Sequence, residues 1–292
     1  MKSVILDDVT LEYEVQGEGE PVLLISHVLA DAFRPLVSEP ALADRHRLIQ
    51  YHKRGWAGST HTAPPVSIGT HAADAAALLD HLGVARAHIA GHSSGAAVAL
   101  QLALDHPQRV QTLTVLEPPL LSLPAGRAFL SQAEPVLELY SRGEQALAVD
   151  MFLSAVSGLD SDACRTLLDE RLPGAIADAV RDADTFFEIE LPALMEWQFT
   201  REHAAAIDKP ALSVVGAATQ PLWVEVAAFL RSHVARLEEV TIEDTGHLLQ
   251  IERPEPVGQA MAGFFGRHAM ADGQADDVVV QAVGGSSPLA HP

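Results

Sequence analysis

A single cysteine, Cys164, is all the chain carries. No internal disulfide can form, and neither a Cys-x-x-Cys redox pair nor a cysteine-rich zinc site is available. Basic residues are scarce as well. Lys and Arg number 19 against 39 Asp and Glu, a formal net charge of -20, and no basic run is longer than Lys53-Arg54. Such a field repels a phosphate backbone and an anionic bilayer, which argues against nucleic acid and membrane as partners. Long apolar runs are missing: none approaches the roughly 20 residues that cross a bilayer. The opening MKSVILDDVTLEYEV has no apolar stretch followed by a small-residue cleavage site, so no secretory signal is expected. A cytoplasmic, reducing setting is the expectation.

What is present is apolar material, 48% of 292 residues, enough for a substantial core. Val4–Leu6 and Leu11–Val15 suggest a hairpin broken at Asp7-Asp8. Pro21–Ser26 is a continuous apolar run, as expected of a strand buried on both faces. Arg47–Tyr51, Ala87–Ala90 and Gln111–Leu116 read as further strands. Ile68–Leu82 has apolar residues at helical spacing and stops at Gly83, and Ser94–Leu104 reads as a second helix. This alternation predicts crossover units and a parallel sheet. Residues 118–206 are different: rich in Ala, Leu, Asp and Glu, punctuated by Pro and Gly, with no strand signal. They read as a helical insertion. Strand signals return at Pro210–Gly216 and Val240–Ile242, and a last helix is expected from about Pro256 to His268. The expected organisation is a core of residues 1–117 and 207–270, a helical cap of 118–206, and a disordered tail of 271–292.

Gly91-His92-Ser93-Ser94-Gly95 has the form G-x-S-x-G, between an expected strand and an expected helix. That context turns a common pattern into a nucleophile elbow, a sharp strained turn that lifts a serine hydroxyl above the sheet edge. Glycines flank it because strand and helix pack too closely for a Cβ. The helix N-terminus beyond favours developing negative charge. A serine needs a base. Among 14 histidines, His247 alone sits in a loop after a late strand, within Glu243-Asp244-Thr245-Gly246-His247. His92 adjoins the nucleophile on a tight turn, where neighbouring side chains diverge. His27 ends a buried strand and suits a core or pocket wall. His88 and His92 are four apart on a strand and turn with no carboxylate between them, so no metal site is expected.

These features resemble the α/β-hydrolase-fold family from about residue 10 to residue 268. Asp244-Thr245-Gly246-His247-Leu248-Leu249 is similar to the segment carrying that family's catalytic histidine. His52-Lys53-Arg54-Gly55-Trp56-Ala57-Gly58-Ser59 looks like its D-x-R-G-x-G-x-S loop, departing at His52 and at Ala57. The usual acid position, after Gly216, holds no carboxylate; Thr219 stands about there. Glu117, in Leu116-Glu117-Pro118, lies instead at the end of the strand after the elbow helix, an alternative acid position in the family. The usual His-Gly oxyanion segment reads Ser26-His27-Val28-Leu29. Together with Val215–Thr219 and the Ser93–Ala96 elbow, Glu117 gives a weaker resemblance to the zearalenone lactonase subgroup, which implies a Ser–His–Glu triad and a lactone substrate.

The resulting expectation is an α/β protein of the α/β-hydrolase fold: a mostly parallel sheet flanked by helices, with a helical cap. It would be a serine hydrolase of a small-molecule carboxylic ester or lactone, without cofactor or metal. Ser93 would be nucleophile, His247 base and Glu117 acid. The backbone N–H groups of Ser94 and of Val28 or Leu29 would form the oxyanion hole. His27 and Trp197 are the expected pocket residues. Two alternatives are a C–C hydrolase of dienoic ketones and a non-catalytic ligand-binding protein on the same fold.

Overall fold

The computed structural model describes residues 1–270; the expected disordered tail, 271–292, lies outside the described residues. One sheet holds eight strands in the order β1-β2-β4-β3-β5-β6-β7-β8. They are β1 (Lys2–Leu6), β2 (Val9–Gln16), β3 (Glu20–Ile25), β4 (His46–Tyr51), β5 (Ala87–His92), β6 (Val110–Leu116), β7 (Ala211–Gly216) and β8 (Leu237–Ile242). β1 and β2, and β2 and β4, pair antiparallel; all other pairs are parallel. The first two strands form the hairpin, with Leu6 opposite Val9 and Asp7 at φ 48 in the turn.

β3 and β5 lie mid-sheet, and nearly every residue in them is buried. Alternate side chains serve opposite layers, which is why the sequence of β3 is continuously apolar. Leu23 and Ile25 pack in the core under α3 (Ile68–His81) and α4 (Ser94–Asp105). Val22 and Leu24 pack against α14 (Pro254–Arg267), beside the short helices α1 (Arg34–Val37) and α2 (Pro40–Ala43). Local signals define the ends of α3. The Ser67 hydroxyl accepts the Thr70 N–H in a capping box, and Gly83 follows the helix at φ 65.

After β3 the chain adds β4 on one side and then crosses to place β5 on the other. Open α/β sheets bind ligands at such a reversal, beyond the carboxyl ends of the strands. Between β6 and β7 run α5 (Pro124–Gln132), α6 (Glu134–Ser141), α7 (Gln145–Ser157), α8 (Ser161–Arg171) and α9 (Ala175–Arg181). A π-helical turn, Thr185–Glu190, then leads into α10 (Leu191–Glu196) and α11 (Arg201–Ala206). α12 (Pro221–His233) joins β7 to β8, and α13 (Leu249–Glu252) precedes α14. Among the described residues no helix is long and apolar enough to cross a membrane.

Candidate active site

Ser93 follows β5 at φ 53 and ψ -122, immediately before α4. A non-glycine residue held there costs on the order of 1–3 kcal/mol, a strain that clusters at functional sites. The flanking glycines permit it by contact. A Cβ on Gly91 would run into the Gly95 carbonyl, and one on Gly95 into the Ile25 carbonyl. On the adjacent strand, Glu117 follows β6 and also takes a positive φ of 49. The Ser93 N–H donates to the Leu116 carbonyl at 2.9 Å, tying the two turns together.

The Glu117 carboxylate is buried, 2% exposed, yet fully engaged. Oε1 accepts the Gly216 N–H at 2.8 Å. Oε2 accepts the Thr219 hydroxyl at 2.8 Å and the His247 Nδ1–H at 2.6 Å. Thr219 thus supports a carboxylate that reaches His247 from the neighbouring strand. Burial pushes Glu117 up to about 8, against those two supporting hydrogen bonds, and pulls His247 down to about 3. Both shifts penalise charge, so the protonation states of the two groups are coupled.

His247 lies in the loop between β8 and α13, and two neighbours hold it. His92 Nε2–H donates to its carbonyl at 2.8 Å, while the Gln250 amide donates to His92 Nδ1 at 2.8 Å. Those partners fix His92 as a neutral ring and a tether, consistent with burial holding it well below its ordinary value. Trp223, from α12, stacks on the imidazole of His247 with ring centroids 3.7 Å apart and planes at 19°. Stacking of this kind contributes about 0.5–1.5 kcal/mol beyond area burial. Trp223→Leu should therefore lower kcat about tenfold by loosening the ring, given that magnitude, whereas Trp223→Phe keeps a stacked face and most of the rate. Steady-state kinetics on p-nitrophenyl acetate would test this, and equal losses in both variants would show that the stacked face is not what matters.

Ser94 opens α4, so its N–H has no acceptor within the helix. Val28, 5% exposed, sits across the site after β3. The Leu29 N–H is engaged by His27 Nδ1 at 3.4 Å. Over Ser93 lies a cavity. The core contributes His27, Val28, Ser94, Leu222 and Trp223, and the insertion contributes Phe129, Phe152, Val156, Phe186, Leu191 and Leu194. No Lys, Arg, Asp or Glu is among its lining residues. Burial holds the His27 ring well below its ordinary value, so it too is neutral. A neighbouring cavity shares Phe129, Phe152 and Leu222 with the first.

Of the residues singled out from sequence, Ser93, Ser94, Val28 and His27 line one cavity, and Glu117 and His247 form a hydrogen-bonded pair beside it. Trp197 is elsewhere. Its indole N–H donates to Gln101 Oε1 at 2.8 Å, and its ring leans on Phe199. The tryptophan of the cavity is Trp223, which sequence reading missed because it looks like any apolar residue on the buried face of α12. His52, in place of the family's loop aspartate, bridges Glu12 and Asp31 at 3.1 Å each. Burial opposes its charge, but hydrogen bonds to those two carboxylates outweigh it and raise the ring above its ordinary value. Ala57 keeps the left-handed backbone of the replaced glycine, at φ 50. Among the described residues no cluster of His, Cys, Asp or Glu is arranged to hold a metal ion.

A family profile described as "alpha/beta hydrolase fold" matches residues 21–148. The chain is 40% identical over 111 residues to a protein of Azorhizobium caulinodans named "Putative carbamate hydrolase RutD". That match covers 37% of this chain and 41% of the relative's own length. A dihydrolipoyllysine-residue acetyltransferase component of the acetoin cleaving system of Pseudomonas putida is 28% identical over 262 residues, 88% of this chain and 66% of its own. Among solved structures, the enol-lactonase from Burkholderia xenovorans LB400 superposes with a TM-score of 0.77 at 20% identity, covering 91% of this chain and 100% of that one. At that identity the likeness speaks for the fold alone.

Proposed function

We propose that this chain, which belongs to the α/β-hydrolase-fold family, is a serine hydrolase that cleaves neutral, apolar carboxylic esters or lactones through an acyl-enzyme. The observation that carries the proposal is the 2.6 Å bond between His247 and Glu117, beside a serine held in a strained elbow. A ligand-binding protein would have no need to maintain two positive-φ residues and a buried acid–imidazole pair.

With Nδ1–H donated to Glu117, the free Nε2 of His247 takes the Ser93 hydroxyl proton as Oγ attacks the carbonyl. The Ser94 N–H and the Val28 N–H receive the developing oxyanion, since the Leu29 N–H is already engaged by His27. The imidazolium formed is stabilised by Glu117 and then protonates the leaving alkoxide. Water, deprotonated by His247, hydrolyses the acyl-enzyme. The insertion of 118–206 acts as a cap, because its side chains roof the cavity over Ser93. The absence of Lys and Arg from the lining selects for neutral substrates and disfavours the anionic dienoates of C–C hydrolases. Aryl esters, lactones including macrocyclic resorcylic lactones, and carbamates are the classes to screen.

A fluorophosphonate probe should label Ser93 covalently, as read by peptide mass. The labelling rate should depend on the proton shared by Glu117 and His247. While the pair holds it, either Nε2 carries hydrogen or the ring is charged, and no base is available. Losing it frees Nε2, so labelling should rise with pH. The apparent pKa should lie between the ordinary histidine value near 6.5 and the about 8 to which burial raises Glu117. Failure to label, or a rate flat from about pH 5 to 9, would sink a histidine-activated serine, given that histidine reference.

A further inference from the structure

The charged groups closest to the elbow belong to neither the acid nor the base. Glu190 ends the π-helical turn of the insertion, and its carboxylate is 1% exposed. Oε1 accepts the Ser94 hydroxyl at 2.5 Å. Oε2 accepts Lys53 Nζ at 2.5 Å and the Trp56 indole N–H at 3.0 Å. The Lys53 ammonium, on a side chain 2% exposed, lies 3.3 Å from the same Ser94 hydroxyl. Two further bonds fasten this part of the insertion to the loop after β4. The Thr185 hydroxyl donates to the Gly55 carbonyl at 2.6 Å, and the Ala57 N–H donates to Asp182 at 2.9 Å. Phe186 and Leu191, from the same stretch, form part of the cavity wall.

We propose that Lys53 and Glu190 are positioning residues: a buried ion pair spanning cap and core that fixes Ser94 and seats the cap's pocket wall over the nucleophile. The inference rests on the reading of Ser93 as nucleophile, since Ser94 matters as the oxyanion donor. Glu190 grips Ser94 by its hydroxyl and so brings a negative charge beside the place where the oxyanion forms. Lys53 cancels that charge while contacting the same hydroxyl. A buried pair of this kind is costly to desolvate and is often no more stable than apolar residues of similar volume. A π-helical turn inside a helical segment is frequently found at functional sites. Together the turn and the pair define where Glu190 meets Ser94.

The electrostatics separate this role from a purely structural one. Lys53→Met leaves the carboxylate uncompensated next to the forming oxyanion, so kcat on p-nitrophenyl acetate should fall about 100-fold, in the range seen when one oxyanion donor is lost. Glu190→Gln leaves a favourable positive charge and an acceptor for Ser94, so kcat should stay within about tenfold of wild type on the same scale. In the double variant Lys53→Met with Glu190→Gln the charge is balanced again and an acceptor for Ser94 remains, so at least tenfold of the Lys53→Met loss should return, the step a compensated charge contributes. Lys53→Met with Glu190→Leu packs the space with apolar atoms but frees Ser94, and its kcat should lie at least tenfold below that of the Met–Gln double variant, again as for a displaced donor. Melting curves establish that each sample is folded. Should Lys53→Met alone fail to fold, the two double variants, both without charge at the pair, carry the test. A folded Met–Leu variant less than tenfold below the Met–Gln variant would overturn the inference, given that same expectation. Ser93→Ala run in parallel keeps the two readings apart: turnover surviving in it would sink the serine mechanism, whereas its inactivity beside equal rates in the double variants would sink the positioning role alone.

Discussion

Ser93→Ala should reduce kcat to about 10⁻⁶ of wild type, the loss seen when a triad serine is removed from a serine protease. The substitution removes only Oγ, which is where the acyl-enzyme would form. Nothing else at the site offers a replacement in the same place. The Ser94 hydroxyl is held by Glu190 at 2.5 Å, so it is directed toward the insertion. The fold should be unaffected, because alanine keeps the Cβ and the backbone of residue 93 stays at φ 53. Ser93→Gly gives a control for that backbone: it should be equally inactive but more stable by roughly 1 kcal/mol, since the strain at this position is relieved. The measurements are single-turnover hydrolysis of an aryl ester and thermal unfolding. Hydrolysis by Ser93→Ala within tenfold of the wild-type rate would be incompatible with a serine nucleophile, against the expected loss of about 10⁶.

Glu117→Gln should cost about 10⁴ in kcat with little change in KM, as for the neutral isostere of a protease triad acid. The local hydrogen bonds dictate why. The Gly216 N–H donates to Oε1 at 2.8 Å, so the amide oxygen must take that side. The amide nitrogen then occupies the Oε2 position, 2.6 Å from His247 Nδ1, and offers a hydrogen. The ring has to turn Nδ1 into an acceptor, which moves its proton to Nε2 and abolishes the base. The Thr219 hydroxyl, 2.8 Å away, can reverse its own role and accept, so the fold tolerates the change. The acid limb of the pH profile should also be lost with the shared proton. A Glu117→Gln enzyme with near-wild-type kcat would show that the acid is not Glu117.

How much of this was legible beforehand varies with the range of the interaction concerned. The hairpin, β3 and α3 are local: alternation, a continuous apolar run, a capping box and a terminal glycine each act within a few residues. The elbow is local too, because the demand for glycine at 91 and 95 comes from one strand packing on the helix that follows it. His247 was readable from its place after the last strand. Placing Glu117 beside His247 required one inference beyond the sequence pattern, that a carboxylate absent after β7 is supplied from β6. The carboxyl ends of the two strands are neighbours in the sheet, with Leu116 paired to Val214, so both reach one histidine.

Other features depend on contacts between distant segments. Trp197 and Trp223 are indistinguishable by composition. One is drawn to Gln101 on α4 and the other is laid on His247 by the path of α12. Leu29 and Val28 are equivalent oxyanion donors on paper, until the His27 ring takes the Leu29 N–H. Lys53 and Glu190 are 137 residues apart and carry the commonest surface side chains, so nothing in their neighbourhoods marks them as a buried pair. The sequence by itself therefore determined the sheet, the strained elbow at Ser93 and the loop position of His247, whose signals are short-range periodicity and steric demand. Only the tertiary structure decided which aromatic covers His247, which backbone N–H beside Ser93 is left unengaged and which charges meet at the elbow, because packing chooses among many equally plausible partners far along the chain.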